Sequence, residues 1–222
     1  MNDWPYHQYL FFELKPSFYQ LSDAHRDQML LCLREWLSSL KDVQSVPYAT
    51  LGFKPGTTFM LWARSHEPAA IQTALRNLLH TPAGAHLGLT QSLFGLIRQS
   101  QYNKHPPKSD QVILADERLP YLIIYPFTKT PAWHLLEFEE RRRLMGTHVQ
   151  IGIRHPAIRQ CLLYAYGVDD HEFIVSYETP TFDAFQDLII ELRSNAVRGY
   201  TQNDLPIYTC IYKSPEDLLA WL

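Results

Sequence analysis

The spacing of apolar residues changes period several times along the chain, and each change predicts an element. Residues 6–14 (YHQYLFFEL) form an aromatic, extended run that reads as a strand. Beyond it Met29, Leu30, Cys32, Leu33, Trp36, Leu37 and Leu40 recur at helical spacing, with Ser22 or Asp23 placed to cap that helix. Residues 46–53 and 57–63 are β-rich on either side of Lys54-Pro55-Gly56, a turn signal. Helical period returns over 68–79 with Pro68 at its start, and 87–97 supplies a last strand. The order is β, α, β, β, α, β.

Polar, proline-containing residues 99–117 read as a linker, after which the order repeats. A strand at 121–125 precedes a helix at 136–147, on whose solvated face Glu139 and Arg143, four apart, are expected to pair. Strands at 158–166 and 172–177 flank Gly167-Val168-Asp169-Asp170, a turn rather than an acid/base pair, and a helix at 182–195 leads to a strand at 207–212. The repetition predicts an α+β fold, duplicated ferredoxin-like in the manner of a dimeric α/β barrel. It has an N-terminal half 1–98, the linker 99–117 and a C-terminal half 118–222. Each half is a split βαβ unit with an antiparallel sheet, and packing the two sheets together with their helices is the evident way to bury both.

Composition agrees with a globular chain. Its 222 residues, 46% hydrophobic and 13% aromatic, suffice for a substantial core. Twenty basic against 23 acidic residues give a formal charge of −3, which offers no general attraction to nucleic acid or an acidic membrane. No apolar run reaches the roughly 18 residues of a membrane span, and residues 1–9 lack the basic start and apolar stretch of a secretory signal, so a cytoplasmic protein is expected. Cys32, Cys161 and Cys210 are odd in number and far apart, which suggests buried thiols rather than disulfides or a zinc site. The ten histidines are scattered without a ligand spacing, so a metal held by protein ligands alone is not expected.

A few side chains remain as candidates for chemistry. His148 stands at the end of the 136–147 helix on the side of Leu144 and Met145, either as a core or C-capping histidine or as an axial iron ligand. One imidazole holds iron when a porphyrin supplies the other four nitrogens. Tyr125 and Lys129, in YPFTK, bring a phenol and an ammonium together at a strand end. Trp133, in the loop that follows, either walls a flat ligand or plugs the core, and Arg193 either clamps a carboxylate or is a solvated charge. Gln160 and Cys161 are adjacent on one strand, so only one of them faces a given pocket.

The ordered set of YPxxK, Trp, EERxxLMxxH and GxDD resembles the chlorite dismutase and coproheme decarboxylase family. The likeness is clearest in IIYPFTKTPAWHLLEFEERRRLMGTHVQIG and LYAYGVDDHEFIVSYET, runs on to YTQNDLPIYTC, and is fainter in MLWARS and TPAGAHLGLTQSLFGLIRQSQY. It implies a homo-oligomer, commonly a pentamer, whose C-terminal half binds haem b or iron coproporphyrin III. By the same likeness His148 matches the proximal iron ligand, Tyr125 the tyrosine that coproheme decarboxylases oxidise to a radical, and Lys129 and Arg193 propionate contacts. Those decarboxylases use hydrogen peroxide to turn two propionates into vinyl groups, giving haem b. Chlorite dismutases have an apolar residue where Tyr125 stands.

Their distal residue is Arg, whereas one group of decarboxylases has Gln there. Spacing to GVDD points to Gln160 and spacing to His148 to Cys161; Gln160 is preferred because strand pairing fixes register better than a loop does. Where the family has Glu, Ala and Ser after the late-helix Arg, this chain has Asn195, Ala196, Val197 and Arg198. That removes a supporting carboxylate of the proximal histidine and offers Arg198 in place of the serine. The expectation is therefore a peroxide-dependent coproheme decarboxylase acting on a porphyrin, without nucleic-acid or membrane partners. The alternatives are a b-type haem protein with chlorite dismutase-like or peroxidase-like activity and a haem-free oligomeric scaffold of the same fold.

Overall fold

The computed structural model describes residues 4–98, 100–102 and 117–222, so the expected linker lies almost wholly outside the described residues. Two compact units are present: Met1–Phe94 joined by Cys210–Leu222, and Gly95–Thr209.

In the first unit strand β1 (Tyr6–Leu14) leads through a short helix α1 (Pro16–Tyr19) into helix α2 (Asp23–Ser39). Strands β2 (Val43–Ala49) and β3 (Phe59–Ser65), helix α3 (Pro68–Leu79) and strand β4 (Leu87–Leu96) follow. The strands lie in the order β4-β1-β3-β2, with β3 antiparallel to both β1 and β2. Every residue of β3 is buried, which explains its near-continuous apolar sequence. Leu33 and Trp36 of α2 and Ile71 and Leu78 of α3 close over Leu10, Phe12, Phe59 and Leu61. Ser22 takes the N-cap position of α2, but its hydroxyl meets His25 Nδ1 at 2.9 Å instead of a backbone N–H. The 46–53 strand ends early, at Ala49, because Thr50 and Leu51 both donate to the Thr58 carbonyl and Gly52 turns the chain at φ 86°.

The C-terminal boundary also differs from expectation. A helix at the end of the chain, not foreseen, caps itself through Ser214, whose hydroxyl accepts the Asp217 N–H at 3.0 Å. Its Leu218 and Leu219 are buried in the core of the first unit, so residues 210–222 belong there and not with 118–209.

The second unit repeats the architecture. Strand β5 (Tyr121–Lys129) precedes helices α4 (Pro131–Leu135) and α5 (Phe138–Ile153). Strands β6 (Arg159–Tyr164) and β7 (Phe173–Thr179), helix α6 (Phe182–Arg193), a 3-10 turn (Ala196–Tyr200) and the short strand β8 (Thr201–Asn203) follow. Strand β7 pairs antiparallel with both β5 and β6, and β8 adds to the end of β5. Tyr125, Phe127, Leu162, Val175 and Tyr177 share the sheet face that packs on Ile151 of α5 and on Phe185, Leu188 and Leu192 of α6.

Two details depart from the sequence reading. Extended backbone at Leu136 and Glu137 splits the predicted 136–147 helix from a short helix that carries Trp133, and α5 then runs on to Ile153. His148 therefore lies inside α5, not at its end. The exposed ion pairs are three apart, Glu139–Arg142 at 3.3 Å and Glu140–Arg143 at 2.7 Å, rather than Glu139–Arg143.

Candidate active site

His148 follows Leu144 by four residues and precedes Ile151 by three, so it shares their buried stripe on α5. Its Nδ1 is closed off from solvent and has no hydrogen-bond partner among the described residues. Burial, with the Lys129 charge adding to it, pushes the imidazole pKa down to about 4. The ring is thus neutral at pH 7 and keeps a free lone pair, which is the form that binds a metal.

Asn195 is engaged elsewhere. Its Oδ1 accepts the Val197 N–H at 3.0 Å and its Nδ2 donates to Thr147 Oγ1 at 3.2 Å. Among the described residues no group of three or more His, Cys, Asp or Glu could hold a metal ion. A metal at His148 has to bring its other ligands with it, as an iron porphyrin does. The donor set therefore fits that group.

The rest of the site hangs on the end of β5. Lys129 is 7% exposed, and its ammonium sits 4.8 Å from the Trp133 ring centroid and 5.7 Å from that of Phe127. Burial lowers its pKa to about 8; Glu172 opposes the shift and Arg198 adds to it. Glu172 in turn accepts the Lys129 backbone N–H at 2.7 Å and meets His134 Nε2 at 2.8 Å. Trp133 is buried with Leu144 and Val197 and packs on Tyr200, 5.5 Å between ring centroids. It plugs this core and floors the ammonium.

Arg193, the last residue of α6, and Arg198, on the 3-10 turn, converge on one oxygen of Asp204, with Nη2–Oδ2 3.6 Å and Nη1–Oδ2 2.5 Å. Both guanidinium charges and the Asp204 carboxylate act on Tyr125. Tyr125 is half-buried; burial raises its pKa to about 12, so it stands as a neutral phenol, and its ring stacks on that of Tyr177 with centroids 6.1 Å apart.

Register places Gln160 opposite Tyr177, on the helix-facing side that carries Tyr125. Cys161 pairs with Ser176 on the opposite face and is fully buried. Arg159 shares that opposite face, where it meets Glu178 at 3.4 Å, so no fixed cation of β6 stands beside Tyr125. The structure thus gathers Tyr125, Lys129, Arg193 and His148 in one unit, with Gln160 on the same sheet face as Tyr125. Sequence reasoning missed Tyr177, Glu172 and Asp204. Tyr177 was accessible from strand alternation, whereas Asp204 follows a three-residue strand with no sequence signal of its own.

Fold and site together define a duplicated ferredoxin-like α+β protein whose second unit offers a neutral imidazole at His148, a half-buried phenol at Tyr125 and the cations Lys129, Arg193 and Arg198. The chain belongs to the chlorite dismutase family, whose model matches residues 26–213. It is 29% identical over 177 residues to the coproheme decarboxylase of Mycolicibacterium smegmatis, covering 79% of this chain and 75% of that protein. To the chlorite dismutase of Ideonella dechloratans it is 23% identical over 192 residues, 82% of this chain and 66% of the relative. A chlorite dismutase variant from Candidatus Nitrospira defluvii superposes with a TM-score of 0.90 at 19% identity, covering 100% of this chain and 96% of that one, and shows the shared fold. No helix among the described residues is long and apolar enough to cross a membrane.

Proposed function

We propose that the protein is a peroxide-dependent coproheme decarboxylase. The observation that carries this reading is the half-buried Tyr125 phenol within the field of Arg193 and Arg198, with Lys129 further along the same strand, a phenol for oxidation near cations for carboxylates. The relative from Mycolicibacterium smegmatis bears the same activity in its name.

An iron porphyrin supplies, when bound, the redox metal that draws two oxidising equivalents from hydrogen peroxide. His148, neutral and with a free lone pair, is the residue to hold that iron. Lys129 and the two arginines bind the propionates, and a carboxylate beside Lys129 keeps the ammonium protonated. Tyr125 gives up a hydrogen atom and takes one back from the propionate carbon. Overall one propionate, one hydrogen peroxide and one proton become one vinyl group, one carbon dioxide and two waters, so two electrons leave the side chain and two enter the peroxide. Gln160, a neutral donor and acceptor, is the side chain of β6 placed to orient peroxide.

A second reading, a haem protein with peroxidase-like or chlorite-degrading activity, draws on the likeness to the Ideonella chlorite dismutase. The neutral Gln160, where that activity goes with Arg, favours the decarboxylase. The test is titration of purified apoprotein with iron coproporphyrin, followed by absorbance, with His148→Ala alongside and product mass after hydrogen peroxide. Saturable binding lost in the variant, then loss of two carboxyl groups, is the expected result. Binding without decarboxylation supports the second reading, and no binding leaves a haem-free protein of the same fold.

A further inference from the structure

Arg193 and Arg198 already hold a carboxylate, and it comes from the chain itself. Asp204 Oδ2 lies 2.5 Å from Arg198 Nη1 and 3.6 Å from Arg193 Nη2, so two guanidiniums share one oxygen. Among the described residues Asp204 is the carboxylate that both of them meet. The same three charges act on the Tyr125 phenol, which ties the cluster to the candidate site.

The carboxylate is the fixed member of this cluster and the arginines are the movable ones. Strand β8 pairs with the end of β5, Thr128 opposite Asn203 and Lys129 opposite Thr201, which sets Asp204 one residue beyond a hydrogen-bonded strand. Asn203 braces the chain on the far side of Asp204: its Oδ1 accepts the Leu205 N–H at 3.3 Å and its Nδ2 donates to the Leu205 carbonyl at 3.4 Å. The short Asp204 side chain is 18% exposed, whereas the long ones of Arg193 and Arg198 are 52% and 37% exposed. Two positive charges against one negative leave the cluster cationic, and each guanidinium has further N–H donors beyond the one given to Oδ2. A second carboxylate is therefore attracted, but on arrival it replaces an existing ion pair instead of meeting bare cations. Exchange of one carboxylate for another at the same guanidinium is close to neutral, because the contact formed matches the contact broken.

We propose that Asp204 is a specificity-determining residue, an internal carboxylate that occupies the Arg193–Arg198 pair and yields it only to a ligand carboxylate delivered there by other contacts. The proposal rests on the decarboxylase reading for its ligand, a porphyrin with several propionates. A free small carboxylate gains almost nothing at the pair. A porphyrin anchored elsewhere, with another propionate at Lys129, presents its carboxylate at high effective concentration and displaces Asp204. When that propionate leaves as carbon dioxide, Asp204 returns to the arginines, so the vinyl product strands no unpaired cations.

The experiment measures glutarate binding to full-length apoprotein by thermal unfolding, with sodium chloride holding the ionic strength constant. Asp204→Asn keeps the shape and a neutral acceptor but removes the charge, and the apparent Kd for glutarate is expected to fall about tenfold or more. An unchanged Kd overturns the proposal, and so does a higher one, which would show Asp204 organising the arginines for their ligand. Asp204→Glu, which keeps the charge, is expected to bind glutarate as weakly as the parent; a gain equal to that of Asp204→Asn overturns the proposal as well. Adding Arg193→Gln to Asp204→Asn is expected to remove most of the gain, and a gain kept in full places glutarate elsewhere and overturns it. Asp204→Ser carries the same expectation as Asp204→Asn and decides the matter where the amide variant does not fold. Iron coproporphyrin, titrated by absorbance, is expected to bind Asp204→Asn about tenfold more tightly than the parent. A glutarate gain in a protein that never binds porphyrin removes the decarboxylase reading and keeps Asp204 as the occupant of a carboxylate site. Porphyrin decarboxylation with both affinities unmoved by Asp204→Asn keeps the reading and removes Asp204 from it.

Discussion

Lys129→Met separates stability from binding. In the folded protein the Lys129 pKa falls from 10.5 to about 8, with burial as the leading cause. At about 1.4 kcal/mol per unit, that drop corresponds to roughly 3 kcal/mol of folding free energy withheld at pH 7. The ammonium recovers part of it from the Trp133 and Phe127 rings, about 1 kcal/mol, leaving a net burden of roughly 2 kcal/mol. Methionine keeps the length and an affinity for the Trp133 face without the charge. Between pH 8 and 10.5 the unfolded chain holds the Lys129 proton and the folded chain does not, so stability rises with pH across that window. The burden is full below pH 8 and gone above 10.5. The variant is therefore expected to be more stable than the parent by roughly 2 kcal/mol at pH 6.5, with the gain shrinking toward zero near pH 10.5. Urea unfolding read by tryptophan fluorescence at both pH values measures this. The same variant should bind iron coproporphyrin about tenfold or more weakly, through loss of a charge-assisted contact. A variant less stable than the parent at pH 6.5, or a gain independent of pH, would refute the assignment of Lys129 as a buried cation kept for its ligand.

Glu178 is fully buried between Arg118, 3.3 Å away and 5% exposed, and Arg159 at 3.4 Å, so Glu178→Gln should cost roughly 3–5 kcal/mol in denaturant unfolding; a cost under about 1 kcal/mol would show the charges to be solvated. Gln160→Ala should leave unfolding within about 0.5 kcal/mol of the parent yet slow peroxide turnover, while Cys161→Ala, at a fully buried position, should cost about 1–2 kcal/mol and leave turnover intact. The reverse pattern would assign the pocket to Cys161. Asn195→Ala removes the acceptor of the Val197 N–H and the link to Thr147, so a loss of about 1 kcal/mol is expected in thermal unfolding, and an unchanged Tm would show that the turn holds without its cap.

Much of the architecture was legible in the chain because apolar period and turn residues are local properties. The strand at 6–14, the helix at 68–79 and the repeat of the same order after residue 120 follow from spacing alone, and all three stand in the structure. The ordered motif from Tyr125 to His148 likewise named the family, since motif spacing survives where identity has fallen. Residues whose partners are distant in sequence could not be read this way. Helix α5 runs past His148 because Leu144 and Ile151 are buried on one stripe, a fact of packing that outweighs the β-branched run from Thr147 to Ile153. The terminal helix joins the first unit because Leu218 and Leu219 fill a core built from residues far up the chain. Gln160 was separated from Cys161 only by cross-strand register with Tyr177, and Arg193 met Asp204 only once a cap, a 3-10 turn and a three-residue strand had folded back on β5. Local pattern determines which elements form; side-chain partnership depends on burial and long-range register, which the linear sequence does not display.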